Sequence, residues 1–374
     1  MEAIDWGTAQ RIGELIAGSP PYDGVRLGTV EPRAHDFAAR VSDYSLLSIG
    51  RELPALELVD RSSWIAANLR SMRPLLAPLT DKLGEQRGLL AGPMRSFSGL
   101  LLGAQIGALT GMLSQRVLGQ YDLALLDDSV PPRLLLLAPN LAQAARNLGV
   151  DRDELLLWVT IHEITHAVQF SGAPWLRAHL AGMIEELLDG LQVTLGIADE
   201  ADGNGDGGGS GKGEDEGKDG GGLTGLLGRF GDVGELRSMM DLARRGELMR
   251  LTIGEERWGL VERMQATMSL IEGHAEHTMD AVGAEVLPSL ATLRSAMTRR
   301  RTQRGLPWRV LERLLGLELK MRQYEQGRRF CDAVVAEAGP EGLARAWRSA
   351  EALPTPAELE KPAEWVARTA PLAA

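Results

Sequence analysis

The sequence predicts a mainly α-helical fold with a small β-sheet. Three observations lead there. Long stretches on both sides of the chain centre carry helix caps and apolar residues at helical spacing. Two short apolar runs, Tyr121 to Leu126 and Arg133 to Ala138, read as strands, with Asp127-Asp128-Ser129-Val130-Pro131-Pro132 between them as a turn. The chain has 374 residues and is 44% hydrophobic, enough for a sizeable core.

Residues 5 to 95 read as helices joined by turns. Asp5 can cap a helix from Trp6 to about Ala17, which Gly18-Ser19-Pro20-Pro21 ends. Ser62 or Ser63 can cap another, through Trp64, Leu69 and Met72 to about Leu83, with a break near Pro74 or Pro78. His35, beside Asp36 in a polar helical stretch, reads as a surface or core histidine and not as a ligand.

Phe97 to Leu113 is nearly uncharged, with Gly99, Gly103, Gly107 and Gly111 spaced four apart. The spacing makes a smooth stripe that lets another backbone come close. The stretch falls short of the roughly 20 residues of a membrane span. The expectation is a helix buried in the fold, packed on the histidine-bearing helix that follows. A membrane helix or a dimer face is the weaker alternative.

That histidine-bearing helix contains VTIHEITHAVQF, from Val159 to Phe170. Asp151 and Asp153 offer N-caps, and Ser171-Gly172-Ala173-Pro174 stops it. His162 and His166 lie four apart, one turn above the other on one face, so both imidazoles can reach one metal ion. Glu163 sits one step round, able to hold a water without being a ligand. Leu155, Leu156, Val159, Ile161, Ile164 and Val168 make the helix apolar. Three ionisable groups there would be costly without a shared partner. A third ligand six residues on is ruled out, because Gly172 stands there.

Trp175 to Val193 continues as helix, and His179 within it lies outside the ligand pattern. Residues 199 to 222 are rich in glycine and acids and hold nothing apolar to offset the entropy of ordering, so a disordered insert is expected. Leu223 to Leu251 reads as a glycine-punctuated amphipathic stretch. Trp258 to Met279 reads as a long helix, and Leu306-Pro307-Trp308 starts another helical region that runs through Tyr324 to Phe330. The tail packs as a short helix around Trp365.

The long helix carries the second chemical cluster, IEGHAEHTMD, from Ile271 to Asp280. It holds Glu272, His274, Glu276, His277 and Asp280 within ten residues. Glu272, Glu276 and Asp280 fall at i, i+4 and i+8, on one helix face. The EGHAE segment resembles the E-G-x-A-E segment of gluzincin metallopeptidases. The early Ile4-Asp5-Trp6, HEITHAVQF and EGHAEHTMD together are similar to a bacterial family of zincin-like metallopeptidases, some of whose members are linked to biosynthesis of a deazaflavin coenzyme. The resemblance covers most of the chain outside the insert.

The resemblance implies a zincin-like metallopeptidase fold and bound zinc. It makes Glu272 the third ligand beside His162 and His166, and it has Gly273 let the two ligand helices approach closely. Glu276, one turn on, becomes an acceptor for the free ring N–H of a ligating histidine. If Glu272 is not the ligand, Glu276, His274 or Asp280 is next. Zincins also place an edge strand beside the zinc helix, where a peptide adds as a further strand. Arg133 to Ala138 is the candidate for that edge, with an ordinary core strand as the equal alternative.

The organisation expected is residues 1–95 as a helical region and 96–374 as the metallopeptidase region, forming one compact unit with the insert as a surface excursion. The expected activity is zinc-dependent hydrolysis of a peptide or protein amide, with Glu163 as general base. His277, Tyr324 or a nearby arginine is expected to stabilise the oxyanion. The alternative is a zinc-binding, non-hydrolytic protein that binds a partner or a cofactor intermediate. The formal charge of −11 argues against nucleic acid or an anionic membrane as partner. Cys331 is the only cysteine, and MEAIDWGTAQ has neither a basic start nor an apolar core. Both features fit a cytoplasmic protein without a signal peptide.

Overall fold

The structure is a computed structural model that describes residues 4–21, 24–49, 52–85, 91–127, 129–202, 255–302 and 317–370. The chain opens with α1 (Trp6–Ala17), where Asp5 Oδ1 accepts the Thr8 N–H at 2.8 Å. Then come α2 (Ala34–Ser45), β1 (Leu56–Val59) and α3 (Arg61–Glu85). The cap on α3 is Asp60, which accepts the Ser63 N–H at 2.7 Å, and neither Ser62 nor Ser63. The helix also runs through Pro74 and Pro78 without the expected break. Leu69, Met72 and Leu76 pack into one cluster and keep the segment straddling Pro74 on the same neighbours.

Helix α4 (Ala91–Ser114) packs on α1, and not on the histidine-bearing helix as expected. The Asp5 N–H donates to the Gly99 carbonyl at 3.0 Å. A methyl group on Gly103, Gly107 or Gly111 would run into the backbone of Asp5, Ala9 or Gly13 in turn. The glycine stripe therefore seats a helix crossing close enough to exclude side chains. No described helix is long and apolar enough to cross a membrane.

The sheet is completed by β2 (Gly119–Asp122) and β3 (Arg133–Leu137), in the order β1-β3-β2. β3 pairs parallel with β1 and antiparallel with β2. The expected hairpin is present, but its first strand is Gly119–Asp122 and not Tyr121 to Leu126, since residues 123–126 leave the strand and run into a turn. β1 had no sequence signal strong enough to be recognised. Residues 1–95 are thus not wholly helical, and residue 95 falls inside α4.

β3 is the central strand, so of the two readings of Arg133 to Ala138 the core strand holds and the edge strand does not. Leu134 and Leu136 enter the main core, while Leu135 and Leu137 enter a second cluster with Trp6, Ala9, Trp64 and Ile65. A strand covered on both faces reads as an unbroken apolar run. β1 and β2 are the two edges, and β2 lies against the helix that bears the histidines.

α5 (Ala138–Leu148) leaves β3 directly. α6 (Arg152–Gly172) follows, with Asp151 Oδ1 accepting the Glu154 N–H at 2.9 Å. α7 (Trp175–Asp202) extends into the first residues of the expected insert. The remainder of that insert, the Leu223 to Leu251 stretch and Leu306-Pro307-Trp308 lie outside the described residues. The second half holds α8 (Glu255–Val286), α9 (Leu290–Thr302) and α10 (Leu317–Leu343), which kinks at Gly339 before Pro340. α11 (Pro356–Glu360) and α12 (Pro362–Thr369) close the fold around the buried Trp365, whose indole N–H donates to the Ala352 carbonyl at 2.8 Å.

Candidate metal centre

α6 is buried over most of its length, and α8 crosses it. Helical spacing brings the rings of His162 and His166 to 4.7 Å, nearly perpendicular, with their Nε2 atoms 3.2 Å apart. From α8, Glu272 Oε2 reaches to 3.6 Å from His162 Nε2 and 3.8 Å from His166 Nε2. The three ligand atoms lie within 4.8 Å of one another, the one such convergence of His, Cys, Asp and Glu among the described residues. The side chains of His162 and Glu272 are 22% exposed and that of His166 11%, so the centre is deep but reachable from solvent.

His166 is held from behind by Gln169. The Gln169 Nε2 donates to the Ile271 carbonyl at 2.8 Å, which fixes the amide with Oε1 towards His166 Nδ1, 2.9 Å away. An amide oxygen only accepts, so Nδ1 carries the proton and the Nε2 lone pair faces Glu272. The same amide nitrogen lies 2.9 Å from His274 Nδ1 and donates to it. Burial first, and then His277 and His166, push His274 down to about 3, so it is a neutral acceptor. His274 stacks edge-on against Trp347 and belongs to the core.

Glu163 is 5% exposed. Its Oε2 accepts the Tyr121 N–H of edge strand β2 at 2.8 Å. Gly119, two residues earlier, lies so close that a methyl there would strike Glu163 and Val159. Burial raises the Glu163 carboxyl to about 7, against the lowering pull of His162, with Glu272 adding to the rise and the Tyr121 N–H opposing it. For His162 burial acts downward, but the carboxylates of Glu272, Glu163 and Glu276 outweigh it and hold the imidazole at about 9. Burial keeps His166 below its ordinary value. The carboxylates thus draw positive charge to the point where the imidazoles meet.

The other expected residues fall differently. Glu276 is buried and close enough for its charge to act on His162, while His166 has Gln169 as its acceptor. Both ring nitrogens of His277 are engaged outside the triad, with Nδ1 2.6 Å from Asp332 Oδ1 and Nε2 2.7 Å from the Tyr44 hydroxyl. Asp280 lies between Arg294 and Arg328, at 2.6 and 2.8 Å. Tyr324 is in α10, and its side chain lies outside the described residues. Gly273 faces α10: a methyl there would meet the backbone at Gly327 and Arg328, so it serves that crossing and not the approach of α6. Gln169 was within reach of sequence reasoning, three residues after His166 on the same helix. Gly119 and Tyr121 were not, because their role depends on a strand docking from elsewhere in the chain.

The chain matches the zincin-like metallopeptidase family over residues 4–366, and it belongs to that family. It is also similar to a protein from Chloroflexus aurantiacus, known from a crystal structure and provisionally described as a hydrolase with a novel fold. The two share 28% identity over 98% of each chain, with a TM-score of 0.65. No curated protein matches the chain.

Proposed function

We propose that the chain is a zinc-dependent peptidase or related amide hydrolase acting on a peptide or protein. His162, His166 and Glu272 would hold the zinc, and Glu163 is the general base. The observation that carries this reading is the convergence of the three ligand atoms beside a buried, braced Glu163. The donor set fits the ion. Two imidazoles and a carboxylate leave a fourth position open, as catalytic zinc sites do and closed structural sites do not. Zinc bound there supplies Lewis acidity, lowering the pKa of water and polarising a carbonyl oxygen.

The residues of the chain do the rest. With Oε2 engaged by the Tyr121 N–H, Glu163 Oε1 is the atom that takes a proton from the attacking water and returns it to the leaving amide nitrogen. A carboxyl poised near neutrality by burial suits both halves of that transfer. Gln169 keeps the His166 lone pair aimed at the centre. The edge strand β2, lying along α6, is where an extended peptide would add. A cytoplasmic location fits the single, buried Cys331.

The test is cleavage of a mixed peptide library by the zinc-loaded wild type and by Glu163→Gln. The expected result is cleavage by the wild type that drops by about 100-fold or more in the variant. Equal cleavage by both proteins would overturn the role of Glu163. Cleavage by neither would overturn the peptidase reading.

A further inference from the structure

A polar cavity of about 480 Å³ lies where the C-terminal end of α4 and the segment after α1 meet the outer face of α5 and the end of α9. It is lined by Arg61, Arg116 and Arg300 together with side-chain amides such as Gln143 and Asn147, and no carboxylate is among the described residues lining it. A second cavity of about 530 Å³ shares Arg61 as a wall. In a chain of net charge −11, a hollow whose described lining holds three guanidiniums and no carboxylate is a local reversal of sign, and Arg300 is held at its rim by donating to the Arg116 carbonyl at 2.8 Å.

Arg61 is only 8% exposed. Its Nε donates to Asn140 Oδ1 at 2.8 Å, its Nη1 to the Ala17 carbonyl at 2.6 Å, and its Nη2 to Gln143 Oε1 at 3.0 Å. All three acceptors are neutral. Burial depresses its pKa, with no carboxylate acting in the other direction. The last carbonyls of α1 provide part of the missing negative charge, but a helix end offers only a fraction of one. A guanidinium has five N–H donors, so two remain after these bonds, one on each Nη. A buried cation held only by neutral partners is costly, and an anion relieves the cost.

We propose that this cavity is a binding site for a small molecule bearing an oxyanion, a phosphate or a carboxylate. Arg61 contacts it from the floor and Arg116 and Arg300 from the rim. Planar guanidiniums match both oxyanions through paired N–H···O bonds, which suits a cavity built from arginine and not lysine. The site is separate from the metal centre and does not depend on its chemistry.

The experiment is titration calorimetry, with thermal unfolding alongside, on the full chain. Inorganic phosphate and succinate are the probes, each measured against sodium chloride at equal ionic strength. Saturable binding of either is expected, with affinity falling by roughly tenfold or more in the Arg116→Ala/Arg300→Ala double variant. Glu272→Ala should bind like the wild type, which separates this site from anions captured at the metal centre. Binding of phosphate alone points to a phosphorylated ligand, and binding of succinate alone to a carboxylate. Absence of saturable binding beyond the chloride control, or binding that survives the double substitution, or binding lost in Glu272→Ala, overturns the proposal.

Discussion

Helix α8 carries two ionisable clusters on successive turns, and they resolve their charge in opposite ways. At Glu272 the carboxylate converges with two imidazoles from α6, and the surplus of acids lifts His162 to about 9. At His277 and Asp280 the groups close on one another. His277 bridges Tyr44 and Asp332, and Asp280 sits between Arg294 and Arg328. The second cluster ties α2, α9 and α10 to α8 and supplies its own counter-charges. The first gathers three atoms of metal-ligating type around one point. Residue type does not separate the two, since both are rich in His and acids. The separation lies in the partners: arginines, a hydroxyl and a carboxylate close the second cluster on itself, whereas the first meets further atoms of ligating type.

Substitutions can widen or erase that contrast. The largest effect is expected from Glu163→Gln, which keeps shape and metal but removes the base: peptide cleavage should fall by about 100- to 10,000-fold with zinc content unchanged. Gln169→Leu removes the acceptor from His166 Nδ1 and leaves the Ile271 carbonyl and His274 without its amide. A zinc-competition titration should read an affinity about 10- to 100-fold weaker. If it leaves zinc affinity at the wild-type value, the positioning role of Gln169 is wrong. His277→Phe, in the other cluster, should leave zinc affinity alone and lower stability by about 1–3 kcal/mol in urea unfolding, from the Asp332 and Tyr44 partners left behind. A loss of zinc in this variant would erase the distinction between the clusters. The smallest effect on chemistry is expected from Gly107→Ala. It forces α4 off α1 and should cost about 1–3 kcal/mol of stability while kcat/KM of the folded fraction stays unchanged.

Much of this was legible in the sequence because it is local. The H-E-x-x-H spacing fixes two imidazoles and the glutamate on one helix, and Asp5 and Asp151 cap the helices they precede. The leucine run of β3 is compatible with an edge or a core strand until its alternation is weighed. Four successive leucines, with no polar alternation, mark a strand buried on both faces, and hence the middle of a sheet. The glycine stripe of α4 told of a close crossing but not of its partner, because any small-faced helix satisfies it. β1 is a half-buried four-residue strand whose register is set by β3, and nothing within LELV announces it. The grip of Tyr121 on Glu163 is a backbone contact, to which the side chain of Tyr121 contributes no sequence pattern.

The most direct test of the central claim is zinc content by plasma mass spectrometry on the purified wild type, Glu272→Ala and Glu276→Ala. About one zinc per chain is expected in the wild type, most of it lost in Glu272→Ala and retained in Glu276→Ala. A wild type that takes up no zinc when supplied with it, or a Glu272→Ala variant that holds zinc as well as the wild type, would contradict the triad of His162, His166 and Glu272.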